Sequence, residues 1–181
     1  MQGIDKILGQ VAATEIGYYT DYNFAVQSSP GLSLAGPLAA QITPVAGNKA
    51  GCVVAIYRRE PAAPPETQPL VWLDSEGSPN GIFAQHLNAF LCLIPFGSGL
   101  IYDVLTHCLA SYQQHGLAPM QGFEALAAGA RSCMQPACEE YRRWLSQRGL
   151  EEEKDPVGAI RDAFLIEPGF EDKLMQPFTR K

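Results

Sequence analysis

The sequence predicts an α+β fold: a small, twisted, mainly antiparallel sheet from the N-terminal half packed against several helices from the C-terminal half. Two patterns predict it. The first part of the chain carries short apolar runs bounded by Gly, Pro and Asn, and after Gly81 the apolar period changes from two to about 3.6 residues. A chain of 181 residues, 46% of them hydrophobic, fits one ordinary domain and buries one core without disulfide staples.

The runs at residues 22–26, 38–43, 52–58 and 70–74 read as strands, giving a sheet of about four. Between the last two lies Glu60-Pro61-Ala62-Ala63-Pro64-Pro65-Glu66, whose three prolines remove backbone donors and fix φ, so this is a surface loop. Ile82, Phe83, Leu87, Phe90, Leu91 and Ile94 then fall on one side of a helix that ends at Pro95, with Ser78 or Asn80 as its cap. Leu100, Ile101, Val104, Leu105, Cys108, Leu109 and Tyr112 make a second stripe, closed by Gly116. Two or three more helices follow. Residues 138–148 place Tyr141, Trp144 and Leu145 at helical spacing, and Asp155-Pro156 supplies a cap and a first-turn proline for a helix over 157–166. Glu151, Glu152 and Glu153 read as a solvated connection. The whole of 1–181 is one domain in this reading, with 97–181 its helical C-terminal extension.

A formal net charge of −6 argues against nucleic acid, which demands a basic stripe, and favours basic partners slightly. The five cysteines form an odd set in a chain too apolar to depend on them, so they read as reduced thiols. Residues 1–17 carry Asp5, Lys6 and Glu15 and lack the uninterrupted apolar stretch of a secretory signal. No run approaches the ~18 to 20 consecutive apolar residues of a membrane span. The expectation is a soluble, cytoplasmic protein.

Chemistry-bearing patterns are sparse. His86, His107 and His115 lack metal-ligand spacing to a second His, Cys or carboxylate, and Cys133 with Cys138 is a single pair without a matching second one. No metal or cofactor is expected. Asp74, Ser75, Glu76 and His86 permit a hydrolase-like acid/base site built on Glu76 and His86. The plainer reading of Asp74-Ser75-Glu76-Gly77 is a turn, with local side-chain bonds and a glycine at positive φ. Tyr18, Tyr19, Tyr22 and Phe24 cluster as either a core-facing strand or an interface. Trp72 reads as core and Trp144, beside Arg142 and Arg143, as half exposed.

The stretch Pro69-Leu70-Val71-Trp72-Leu73-Asp74-Ser75-Glu76-Gly77, followed by residues 81–91 (Gly-Ile-Phe-Ala-Gln-His-Leu-Asn-Ala-Phe-Leu), resembles the SUKH superfamily, the Smi/Knr-like proteins. Upstream, Pro44-Val45-Ala46-Gly47-Asn48 and residues 51–57 are similar to that family's glycine-containing hairpin. The resemblance spans residues 44–96. The family's opening helix and Leu-Pro step have no counterpart identified in residues 1–36, and the tail after Gly97 is longer than in compact members. The resemblance implies an α+β domain and, in bacteria, an immunity protein that neutralises a toxin of a polymorphic or contact-dependent system. It transfers no catalytic or metal residue.

The leading expectation is therefore a non-catalytic immunity protein whose cognate toxin presents a basic surface. Glu60, Glu66, Asp74 and Glu76 would set encounter and register, and Tyr19 and Tyr22 would supply affinity. The alternatives are an interaction scaffold of the same fold without a toxin partner, and the Glu76/His86 hydrolase.

Overall fold

The computed structural model describes residues 2–14, 16, 22–23, 38–116, 122–133 and 139–175. Strands β1 (Tyr22–Asn23), β2 (Ile42–Asn48), β3 (Val53–Tyr57), β4 (Leu70–Leu73) and β5 (Gly81–Ala84) form one five-stranded sheet in sequence order. Every neighbouring pair is antiparallel, so the sheet is a meander. The helices are α1 (Gln2–Ala12), α2 (Leu87–Leu93), α3 (Gly97–His115), α4 (Glu124–Cys133), α5 (Glu139–Ser146), α6 (Pro156–Phe164) and α7 (Phe170–Met175). The arrangement is α+β, with most of the helix in the C-terminal half.

Side chains alternate across a strand, and here both faces of the sheet are covered. Val54, Ile56, Leu70, Trp72 and Phe83 face the larger core, with Ile4, Leu8 and Val11 of α1 and the apolar stripes of α2 and α3. Val53, Ala55, Tyr57, Val71, Leu73 and Ile82 face a second cluster completed by Ala163 of α6 and Phe170 of α7. This explains why β3 and β4 read as unbroken apolar runs, a pattern more usual in parallel sheets. Phe83 and Phe90 meet edge to face at 5.6 Å, and burying each ring stabilises by about 1.5–3 kcal/mol. The C-terminal segment is thus a wall of the same core. It covers the open edge at β5, where a Cβ on Gly81 would lie 3.2 Å from Leu105 and 3.4 Å from Phe164.

Pro44 sits inside β2, and among the described residues β1 pairs with Gly47 and Asn48, beyond the proline. A register shift between Pro44 and Ala46 marks a bulge.

Residues 81–84 differ from the sequence reading. They form a strand, because Trp72↔Gly81, Val71↔Ile82 and Leu70↔Ala84 pairing satisfies their backbone, and α2 starts only at Leu87. Its cap is His86, whose Nδ1 accepts from the Ala89 N–H at 3.2 Å, in place of Ser78 or Asn80. The strand expected at 38–43 begins at Ile42 and runs on to Asn48, after a 3-10 turn at Ala39–Gln41. Of the run 22–26, only Tyr22 and Asn23 lie within the described residues.

The end of α2 shows how local chemistry calls on distant chain. Pro95 has no N–H, so the Leu91 carbonyl four residues earlier has no intrahelical donor. The buried Tyr141 hydroxyl donates to it at 2.7 Å. The next carbonyl, Cys92, accepts from the Glu153 N–H at 3.1 Å. The acidic connection is accordingly less solvated than expected: Glu152 pairs with Arg142 at 2.6 Å and is only 16% exposed. Asp155 caps α6 by accepting from the Gly158 N–H at 3.0 Å, and Gly116 closes α3 at φ 65, as the sequence predicts. By length and composition the helical run Leu87–His115 is apolar enough to cross a membrane, with mean hydropathy 1.6 and 61% of its window buried in the fold. Most of its large apolar residues belong to the core, and Tyr102 is exposed.

Candidate interaction site

The carboxylates singled out in the sequence lie at opposite ends of the sheet, because one group follows β3 and the other follows β4 of an antiparallel pair. The two ends are built differently.

At the end that follows β4, the polar groups turn inward. Asp74 is 8% exposed; its Oδ1 accepts from the Glu76 N–H at 2.8 Å and its Oδ2 from the Cys52 thiol at 3.3 Å. Such an Asx turn requires the carboxylate to fold back onto its own backbone, and Gly77, at φ 105, completes the reversal. Asn80 accepts from the Asp74 N–H at 3.0 Å and donates to Gly77 O at 2.6 Å. Glu171 of α7 accepts from the Asn80 backbone N–H at 2.9 Å, fastening the helix to the turn. Ser75 reaches across to Ala50 O at 3.0 Å, joining the β4–β5 turn to the β2–β3 turn. Burial pushes the Cys52 thiol above its ordinary range; its bond to Asp74 adds to this and the Ser75 backbone partly offsets it. A thiol held protonated is a poor nucleophile. Asp74 is thus a structural residue, which corrects the expectation that it faces a partner. Glu76, next to it, is exposed.

At the other end, the loop between β3 and β4 holds its shape through one buried side chain. Gln68, 3% exposed, accepts from the Glu60 N–H at 3.1 Å through Oε1 and donates through Nε2 to Glu60 O at 2.7 Å. A third bond reaches Ala63 O at 3.4 Å, and Thr67 Oγ1 donates to Pro64 O at 2.7 Å. With its prolines, the loop has few alternatives to this conformation. Glu60 and Glu66 stand exposed on it. The two arginines that precede it are engaged: Arg58 donates to the loop's own Pro61 O at 3.4 Å, and Arg59 lies 4.0 Å from Glu167.

Glu76 and His86 are not brought together. Glu76 precedes β5 and His86 follows it, and that strand of four residues spans on the order of 13 Å at ~3.3 Å per residue. His86 is exposed, and because its Nδ1 accepts the Ala89 N–H, its neutral ring carries the hydrogen on Nε2. Tyr22 is 3% exposed and packs edge-on against Phe90 at 5.7 Å, so it belongs to the core; this too corrects an expected contact. Tyr19 lies outside the described residues, as do Tyr18, Phe24 and Cys138. Trp72 is buried as expected, and Trp144 is half-buried, stacked on Tyr141 at 5.5 Å with the Arg148 guanidinium 3.9 Å above it.

A cleft of about 330 Å³ opens beside the start of α2, lined by Phe83, His86, Cys92, Leu150, Glu153 and Asp162 among others. Burial raises the Cys92 thiol, and the nearby Glu153 charge raises it further. Gln68, Asn80 and Glu171 carry no periodic signal in the sequence, since each acts through a single side chain on backbone distant in sequence or in a turn. Among the described residues, no group of three or more His, Cys, Asp or Glu is placed to hold a metal ion. Comparison with protein-family models, with curated proteins and with solved structures found no match to this chain.

Proposed function

We propose that this protein is a non-catalytic immunity protein, acting in the bacterial cytoplasm by binding a basic surface of a cognate toxin. The observation that carries the reading is the loop pinned by Gln68, which offers Glu60 and Glu66 to solvent in a preset conformation. A docking element that is already ordered loses little entropy on binding, and exposed carboxylates steer a basic partner into register. The resemblance of residues 44–96 to SUKH proteins and the net charge of −6 support the same reading.

Glu60 and Glu66 form the proposed contact, with Glu76, at the far end of the sheet, outside it. The test is a co-expression pull-down against the product of the neighbouring gene, with the wild-type chain and with Glu60→Lys/Glu66→Lys. Capture by wild type and a loss of roughly tenfold or more in affinity for the double variant is the expected result. Undiminished capture by the variant rules out this loop. No capture of the neighbouring product favours the scaffold of the same fold without a toxin partner.

A further inference from the structure

The cleft beside α2 has a lining of two kinds. Phe83, Leu93, Leu150 and Ala159 make an apolar floor, while His86, Asn88, Glu153 and Asp162 bring polar groups to it. At about 330 Å³ it lies at the bottom of the ~300–1,000 Å³ range of small-molecule sites, a size suited to one long side chain.

Its charge is one-sided. Among the described residues no Lys or Arg lines it. Of the three consecutive glutamates, Glu151 pairs with Lys154 and Glu152 with Arg142, whereas Glu153 has no cationic partner among the described residues. Its Oε1 accepts the Asp155 N–H at 3.1 Å, and it lines the cleft together with Cys92. Asp162 shares its Oδ1 with Arg161 at 2.9 Å in a largely exposed pair, so Glu153 is the stronger anchor.

We infer that this cleft receives an arginine or lysine side chain of a protein partner, its methylene stem on the apolar floor and its cation against Glu153. Long basic side chains bury the stem in this way and keep the head group paired. The inference rests on the reading that the chain acts by binding protein, and it extends that surface. The 3-10 turn Pro65–Thr67, which carries Glu66, packs against α2, so the docking loop and the cleft lie at the same end of the molecule.

The probe is N-acetyl-arginine N-methylamide, titrated into the full chain and followed by amide NMR shifts at His86, Asn88, Ala89 and Glu153. N-acetyl-citrulline N-methylamide, the neutral isostere, is the control. Saturable shifts at these amides with the arginine probe, weakened about tenfold with the citrulline probe and about tenfold in Glu153→Gln, are expected. A native spectrum of Glu153→Gln before titration establishes that the variant is folded, and Asp162→Asn is the second variant, with a smaller loss expected. Equal shifts from the two probes, no shifts at the cleft, or indifference to Glu153→Gln would overturn the inference. The loop carrying Glu60 and Glu66 is not touched by this titration, so a failure here leaves the docking reading standing.

Discussion

The two ends of the sheet carry the same kind of sequence and put it to opposite uses. Asp74-Ser75-Glu76-Gly77 and the loop from Glu60 to Gln68 are both acidic, turn-forming and directly attached to β4. In the first, the carboxylate of Asp74 bonds the backbone and goes inside. In the second, the neutral amide of Gln68 does that work, which leaves Glu60 and Glu66 outside. At these two ends of the sheet, the carboxylates are displayed where another side chain satisfies the turn. The comparison separates a carboxylate that stabilises the fold from one that is free to meet a partner.

Asp74→Ala should break the comparison most severely. It leaves the buried Cys52 thiol and the part-buried Glu76 N–H without their acceptor, at a cost of about 2–3 kcal/mol. A urea titration reads this as a lower midpoint with unchanged slope. Equal stability to wild type would mean that Asp74 holds nothing.

Alkali gives the next effect. Cys52 at the inward end and Cys108 in the core both have thiols raised by burial, Cys108 to about 12 from 9.0, with Arg161 opposing weakly. The unfolded thiol ionises first, so the stability associated with the neutral form is complete below pH 9.0 and is lost as pH climbs towards about 12. At pH 10.5, midway, the loss from Cys108 is about 2 kcal/mol. Urea midpoints from pH 8 to 11 measure it. Cys108→Ala should remove the largest single share of the slope and Cys52→Ala a smaller one, the raised Cys92 and Tyr57 keeping the rest.

Gln68→Ala has the smallest effect on stability, about 1–2 kcal/mol, because part of the loop's backbone regains water once the side chain is gone. Its diagnostic is local: the Glu60 amide should exchange with deuterium faster while amides of β3 and β4 hardly change. Unaltered exchange at Glu60 would show that the prolines alone hold the loop.

Much of this fold is legible in the sequence, but unevenly. The strands near 52–58 and 70–74, the long helix ended by Gly116 and the Asp155-Pro156 helix start rest on local signals that the tertiary structure keeps. Gly81–Ala84 is misread because Ile82 and Phe83 continue the helical spacing of Leu87, Phe90 and Leu91; a four-residue run has no period of its own, and pairing with β4 decides it. Helix α1 is missed even though Ile4, Leu8 and Val11 share a face, since Gly3 and Gly9 lower its intrinsic propensity. At the candidate site, residue type marks Glu60, Glu66, Asp74 and Glu76 alike. Their separation into buried and displayed depends on Gln68, Asn80 and Glu171, whose partners the sequence does not identify.

The proline that ends α2 carries a consequence for how this chain can be shortened. Removing Pro95's amide hydrogen creates a debt that Tyr141, 50 positions away from Leu91, settles with its hydroxyl. Truncation before Tyr141 would therefore strand that carbonyl in addition to stripping away the helices that wall the core.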